Sequence, residues 1–288
     1  MTQDGSRRTI EVKLDIEATP EQVWKALTDA EELARWFPLE AGVEPGAGGK
    51  IVLSWGENME GICRIRRWEP ERHLQTTWME PTERAAAAAR DAPEGSWIET
   101  AARGDWPADH LLVDTYLEAR GGGTTLRLVH SGFSADAAWD EEYDSHRRGW
   151  NFELCSLRHY LERHAGKNRT MEWVRAPLTA EPATVWSRLL GADGLGAESH
   201  LDALGSGAAY STRTVHGEML RGTVVLSDAP LQLALTLEEK GSALLRFGIE
   251  TCFGPPEANL WLSAWNANPD DMKAFHRRWE TTLRELAA

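Results

Sequence analysis

Two histidines have the type and position to do chemistry. His130 shares strand parity with Leu126 and Leu128, which aims it at the apolar face of an alternating segment. There it could orient a ligand or move a proton, or be a buried histidine bonded to its neighbours. His146 precedes Trp150 by one helical turn, so it either meets a ligand or sits at the helix edge in solvent. Tyr143, one turn earlier, could assist a reaction. With these three, Trp55, Trp78, Leu126, Leu128, Trp150 and Leu154 make up the candidate ligand-binding set, although aromatic residues in a core are the commoner explanation.

Other chemistries find no support. Asp140, Glu141, Glu142 and Asp144 stand close to His146, but carboxylates in a first helical turn complement the helix dipole at about 0.3 to 1 kcal/mol each. Cys155 and His159, four apart, make half a metal site with no matching pair, so no metal is expected. The sequence has no Gly-x-Ser-x-Gly elbow, glycine-rich phosphate loop, His-Glu-x-x-His or Cys-x-x-Cys, so no cofactor is expected and His130 and His146 are the sole catalytic candidates.

Composition narrows the partners. The chain has 31 basic and 45 acidic residues among 288, a net charge of -14 that opposes nucleic acid and anionic membrane surfaces. The acidity is concentrated before Gly166, where 19 basic residues face 30 acidic ones. The start is polar and no segment approaches the ~20 apolar residues of a membrane span, so a cytoplasmic protein is expected. Cys63, Cys155 and Cys252, widely spaced in periodic segments, read as free thiols of a reducing compartment. The 14 tryptophans call for large aromatic cores or an aromatic-lined cavity.

The elements that must hold these residues occur twice. Ala18-Thr19-Pro20-Glu21-Gln22-Val23-Trp24 recurs as Ala180-Glu181-Pro182-Ala183-Thr184-Val185-Trp186, each after a strand and each with proline where a helix starts. Tyr143, His146, Trp150, Leu154 and Leu157 recur as Met272, Phe275, Trp279, Leu283 and Leu286 at the same helical spacings. Two such matches, in order at both ends of each half, indicate a duplicated unit.

Between the paired helices each half reads as antiparallel strands. In the first they cover about 50–55, 61–68, 73–79, 111–120 and 124–131, with Gly121-Gly122-Gly123 as a hairpin turn. In the second they cover about 208–215, 219–226, 231–239, 243–253 and 259–265. The expected architecture is α+β: two tandem helix-grip domains, 1–166 and 167–288, each a curved antiparallel sheet wrapped around a long C-terminal helix. The first carries an insert, Glu80 to His110, whose length and Trp97 and Trp106 suggest a lid.

The first half resembles the Hsp90-ATPase-activator-homologue family of the START-like (SRPBCC) superfamily in Thr19 to Trp24, Arg35-Trp36-Phe37, Pro45 to Gly49, Leu74 to Trp78, Gly122 to Leu126, His130-Ser131-Gly132-Phe133 and His146 to Trp150. The second half keeps both end motifs and reads as a diverged copy lacking the double-glycine and histidine-serine-glycine elements. The resemblance implies a cavity between sheet and long helix. On that basis the first domain is expected to bind a small hydrophobic or amphipathic molecule or lipid. The alternatives are a cyclase- or hydratase-like cavity enzyme using His130 and His146, and a protein-interaction module such as a chaperone partner.

Overall fold

The computed structural model describes residues 7–56, 59–82, 111–196, 201, 204–250 and 255–288. Cα packing divides the chain into two compact units, Met1–Gly166 and Lys167–Ala288.

The first unit opens with β1 (Arg7–Ile16), whose Ile10, Val12, Leu14 and Ile16 alternate inward. Helix α1 (Pro20–Thr28) starts where expected: the Thr19 hydroxyl accepts from the Gln22 backbone at 3.3 Å, and the Gln22 side-chain oxygen accepts from the Thr19 backbone at 2.9 Å. A five-residue helix α2 (Ala30–Ala34) follows, capped by Asp29. Strands β2 (Glu40–Glu44), β3 (Lys50–Ser54), β4 (Glu60–Glu69), β5 (His73–Thr77), β6 (Glu80–Pro81), β7 (Leu112–Arg120) and β8 (Gly123–Ser134) form one antiparallel sheet. Its order is β1-β8-β7-β5-β4-β3-β2, with the short β6 beside β4. Gly121 and Gly122 turn β7 into β8 at φ of 52° and 97°, a region that favours glycine. The 24-residue helix α3 (Asp140–Arg163) closes the unit and packs on β1 and α1.

The second unit repeats this order: β9 (Arg169–Pro177), α4 (Pro182–Leu190), β10 (Ala209–Arg213), β11 (Met219–Asp228), β12 (Gln232–Leu237), β13 (Ala243–Glu250), β14 (Glu257–Trp265) and α5 (Pro269–Ala287). Its sheet runs β9-β14-β13-β12-β11-β10, matching β1-β8-β7-β5-β4-β3 strand for strand. The α5 stripe Met272, Phe275, Trp279, Leu283 and Leu286 is wholly buried.

Local detail repeats as well. Gly48 donates to the Ile65 carbonyl at 2.9 Å and Gly207 to the Val224 carbonyl at 2.8 Å; Ile65 and Val224 return bonds to Gly49 and Ala208. Thr77 accepts from the Arg64 backbone at 2.9 Å, and Thr236 from the Thr223 backbone at 2.8 Å. Both β4 and β11 then bulge by one residue. The glycine turn expected to be missing from the second unit is therefore present in part. Gly207, at φ 91°, keeps the positive angle of Gly48, at φ 87°, while Ala208 suffices where Gly49 stands.

Residues 83–110 lie outside the described residues, and with them Trp97, Trp106 and most of the suggested lid.

Candidate functional site

Between the sheet of the first unit and α3 lies a cavity of about 70 Å³. Its far end is built by the chain after α2. Trp36 donates its indole N–H to the Ala26 carbonyl at 2.8 Å, and its own carbonyl accepts from Ser156 of α3 at 3.0 Å. These bonds seat Trp36 and the stacked Phe37, at a ring spacing of 5.1 Å, over the sheet. Trp150 and Leu154 of α3 form the helix side. The sheet side is Ile51, Leu53, Cys63, Leu74, Trp78, Val113 and Leu128, with Thr76 and Thr115 as the hydroxyl-bearing members. Since roughly 10–15 Å³ holds one water, the space admits a few waters or part of a small organic molecule.

Of the residues singled out in the sequence, Trp78, Leu128, Trp150 and Leu154 line this space. Leu126 is fully buried in the same sheet but is not among the lining residues. Trp55, just past β3, sets its ring against Phe37 at 5.2 Å. Tyr143 is a tie between elements: its hydroxyl donates to the Thr9 carbonyl at 3.0 Å and its ring lies under Arg8 at 4.7 Å. Arg8 also pairs with Asp140, which accounts for one of the acidic residues at the start of α3.

The histidines stand behind the aromatic wall. Trp150 donates its indole N–H to Nδ1 of His130 at 3.0 Å, which places the proton of the neutral imidazole on Nε2. His130 thus fixes the rotation of a cavity-lining ring. His146 Nδ1 donates to the Glu142 carbonyl at 2.9 Å, so it faces inward rather than lying at the helix edge. Trp78 contacts both imidazoles, at 4.9 and 5.4 Å, and Phe133 contacts both at 4.6 and 5.3 Å. Burial drives the His130 pKa well below its ordinary value, with neighbouring His146 adding to the fall. Burial lowers His146 to about 4, against a rise from its bond to the Glu142 carbonyl. Both are neutral at pH 7. Burial also pushes the Glu142 carboxyl up to about 7.

The matching positions of the second unit are apolar. Strand register places Leu235 where Thr76 stands, Phe247 where Thr115 stands and Leu262 where His130 stands; Phe275 takes the helix position of His146. Trp279, the counterpart of Trp150, has a buried indole nitrogen with no partner among the described residues. With Leu262 at the register position of His130, this N–H lacks the acceptor that Trp150 has.

Sequence reasoning missed Ile51, Leu53, Cys63, Val113 and Thr115 as members of the site, and used Trp36-Phe37, Leu74 and Thr76 only as parts of family motifs. Parity was the available signal, because Leu74 and Thr76 alternate with Trp78 on one face of β5. Among the described residues no cluster of three or more His, Cys, Asp or Glu could hold a metal. No helix there is long and apolar enough to cross a membrane. Cys63 and Cys155 are free thiols, and burial pushes Cys63 up to about 12.

Several solved structures resemble the chain in part or along its length. The Aha1 dimer from Colwellia psychrerythraea is 18% identical over 55% of this chain and 99% of its own, at a TM-score of 0.41. Protein MLL2253 from Mesorhizobium loti is 24% identical over 55% and 98%, at 0.40. DynU16, from the dynemicin biosynthetic locus, is 16% identical over 97% of both chains, at 0.40. No curated protein matches the sequence. The profile of one family, the activator of Hsp90 ATPase homolog 1-like proteins, matches residues 17–162, just over half the chain. On that match the chain belongs to the activator of Hsp90 ATPase homolog 1-like family.

Proposed function

We propose that the first unit binds a small hydrophobic or amphipathic molecule between its sheet and α3, and that the second unit, domain 167–288, is a filled copy that supports it. The observation carrying this reading is the contrast between the two cores. Thr76 and Thr115 border open space in one, whereas Leu235 and Phe247 occupy their register positions in the other. Proteins of this family and superfamily generally bind hydrophobic ligands or act in polyketide-cyclase-like roles. Binding is favoured over turnover because neither His130 nor His146 is among the cavity-lining residues.

The test is mass spectrometry of an organic extract from natively purified protein, beside the Thr115→Phe variant. A small molecule present in the first and absent from the folded variant is expected. The same molecule in both would refute the location.

A further inference from the structure

We infer that Thr76 and Thr115 form the polar anchor of the cavity and select an uncharged ligand with a hydroxyl or carbonyl on an otherwise apolar body. The inference rests on the cavity reading above and adds the chemical class of its occupant.

Both threonines are more than nine-tenths buried, at 8% and 5% exposure, and both border the cavity. They sit on adjacent strands: Thr76 lies opposite Val113, and Thr115 opposite Leu74. They are diagonal neighbours on one face, within reach of one ligand edge. Neither hydroxyl has a hydrogen-bond partner among the described residues, whereas Thr77, on the other face of β5, accepts from the Arg64 backbone. A hydroxyl of a residue that borders the cavity and has no protein partner is open to water or a ligand.

The fold does not require polarity here, since the second unit places Leu235 and Phe247 at the same register. A threonine hydroxyl both donates and accepts, so the pair suits an alcohol, a phenol or a carbonyl. No Lys, Arg, Asp or Glu is among the lining residues, so a carboxylate or ammonium ligand would be buried without a counter-charge. Trp36, Phe37, Trp78 and Trp150 supply the apolar surroundings.

Calorimetric titration with two probes of matched shape, phenol and toluene, tests the anchor. The proteins compared are the wild-type chain and the Thr76→Val/Thr115→Val variant, which removes both hydroxyls at nearly constant volume. The affinity for phenol should fall about tenfold in the variant, while that for toluene stays within about twofold. If both probes bind and the substitutions change neither affinity, or change both alike, the anchor is refuted and the cavity reading stands. If neither probe binds the wild-type protein, the anchor is refuted, and the cavity reading is decided by the organic extract described above. The single variants Thr76→Val and Thr115→Val, each expected to lower phenol affinity severalfold, replace the double variant if it does not fold.

Discussion

Replacing His146 with Phe should change how stability depends on pH. The unfolded histidine takes up a proton near 6.5, whereas the folded one stays neutral until about pH 4. Between those values the unfolded chain binds more protons, so this contribution is complete above pH 6.5 and lost as pH falls towards 4. The loss amounts to about 3 kcal/mol. His130, also held below its ordinary pKa, acts in the same direction. Glu142 acts against both. Raised from 4.5 to about 7, it keeps its proton longer when folded, so its contribution is complete below 4.5 and lost as pH rises towards 7. Within this cluster the two histidines act in one direction and the carboxyl in the other between roughly pH 4.5 and 6.5. His146→Phe should flatten the dependence of stability on pH by about one proton, whereas Glu142→Gln should steepen it by about one. Phe275 at the matching position of α5 indicates that the fold accepts the ring. Urea unfolding of the first unit across this pH range measures the slope. A His146→Phe variant that keeps the wild-type slope would refute the assignment of proton uptake to this cluster.

Three further outcomes are expected. Thr76→Val should raise the first unit's unfolding free energy by up to roughly 1 kcal/mol, because it puts a methyl group in an apolar lining in place of a hydroxyl with no protein partner; a matching loss, read by urea midpoint, would mean the hydroxyl is satisfied within the fold. Cys63, buried and pushed up to about 12, should escape maleimide in the native protein and react once unfolded, as peptide mass mapping would show. Gly49→Ala would bring its methyl group onto the Glu44 carbonyl and should cost at least 2–3 kcal/mol, whereas Gly42→Ala, whose nearest neighbour would be Val52 Cβ at 3.9 Å, should cost under 1 kcal/mol in thermal melts.

The duplicated architecture was legible because its markers are large and periodic. The Trp24 and Trp186 helices begin at prolines, and the two C-terminal stripes repeat residue for residue. Strand β2 was not foreseen, since Glu-Ala-Gly-Val-Glu combines poor strand formers with a single branched residue, and only pairing to β3 makes it a strand. The part-retained glycine turn of the second unit escaped because motif matching weighs both glycines alike, whereas the backbone needs glycine only at the positive φ of Gly207. The aromatic half of the site followed from strand parity and helical spacing. The hydroxyl half did not, because Thr76 and Thr115 become neighbours only through the β5–β7 pairing, and that pairing is a property of topology.

The placement of the first strand in each sheet bears on how the chain assembles. β1 pairs with β8, with Arg7 opposite Ser134, and β9 pairs with β14, with Arg169 opposite Trp265. Neither sheet can therefore close until its last strand has been made, and two similar strands compete for similar edges during refolding. Exchange between tandem copies is a characteristic failure of repeated domains. Here the side chains oppose it. Ile10 lies across from His130 in the first sheet, and the strand that would replace β1 brings Glu172 to that position. In its own sheet Glu172 pairs with His276 at 2.9 Å. In the wrong one it would give up that partner and carry its carboxylate into the position of Ile10, which is 2% exposed, and this penalty disfavours exchange.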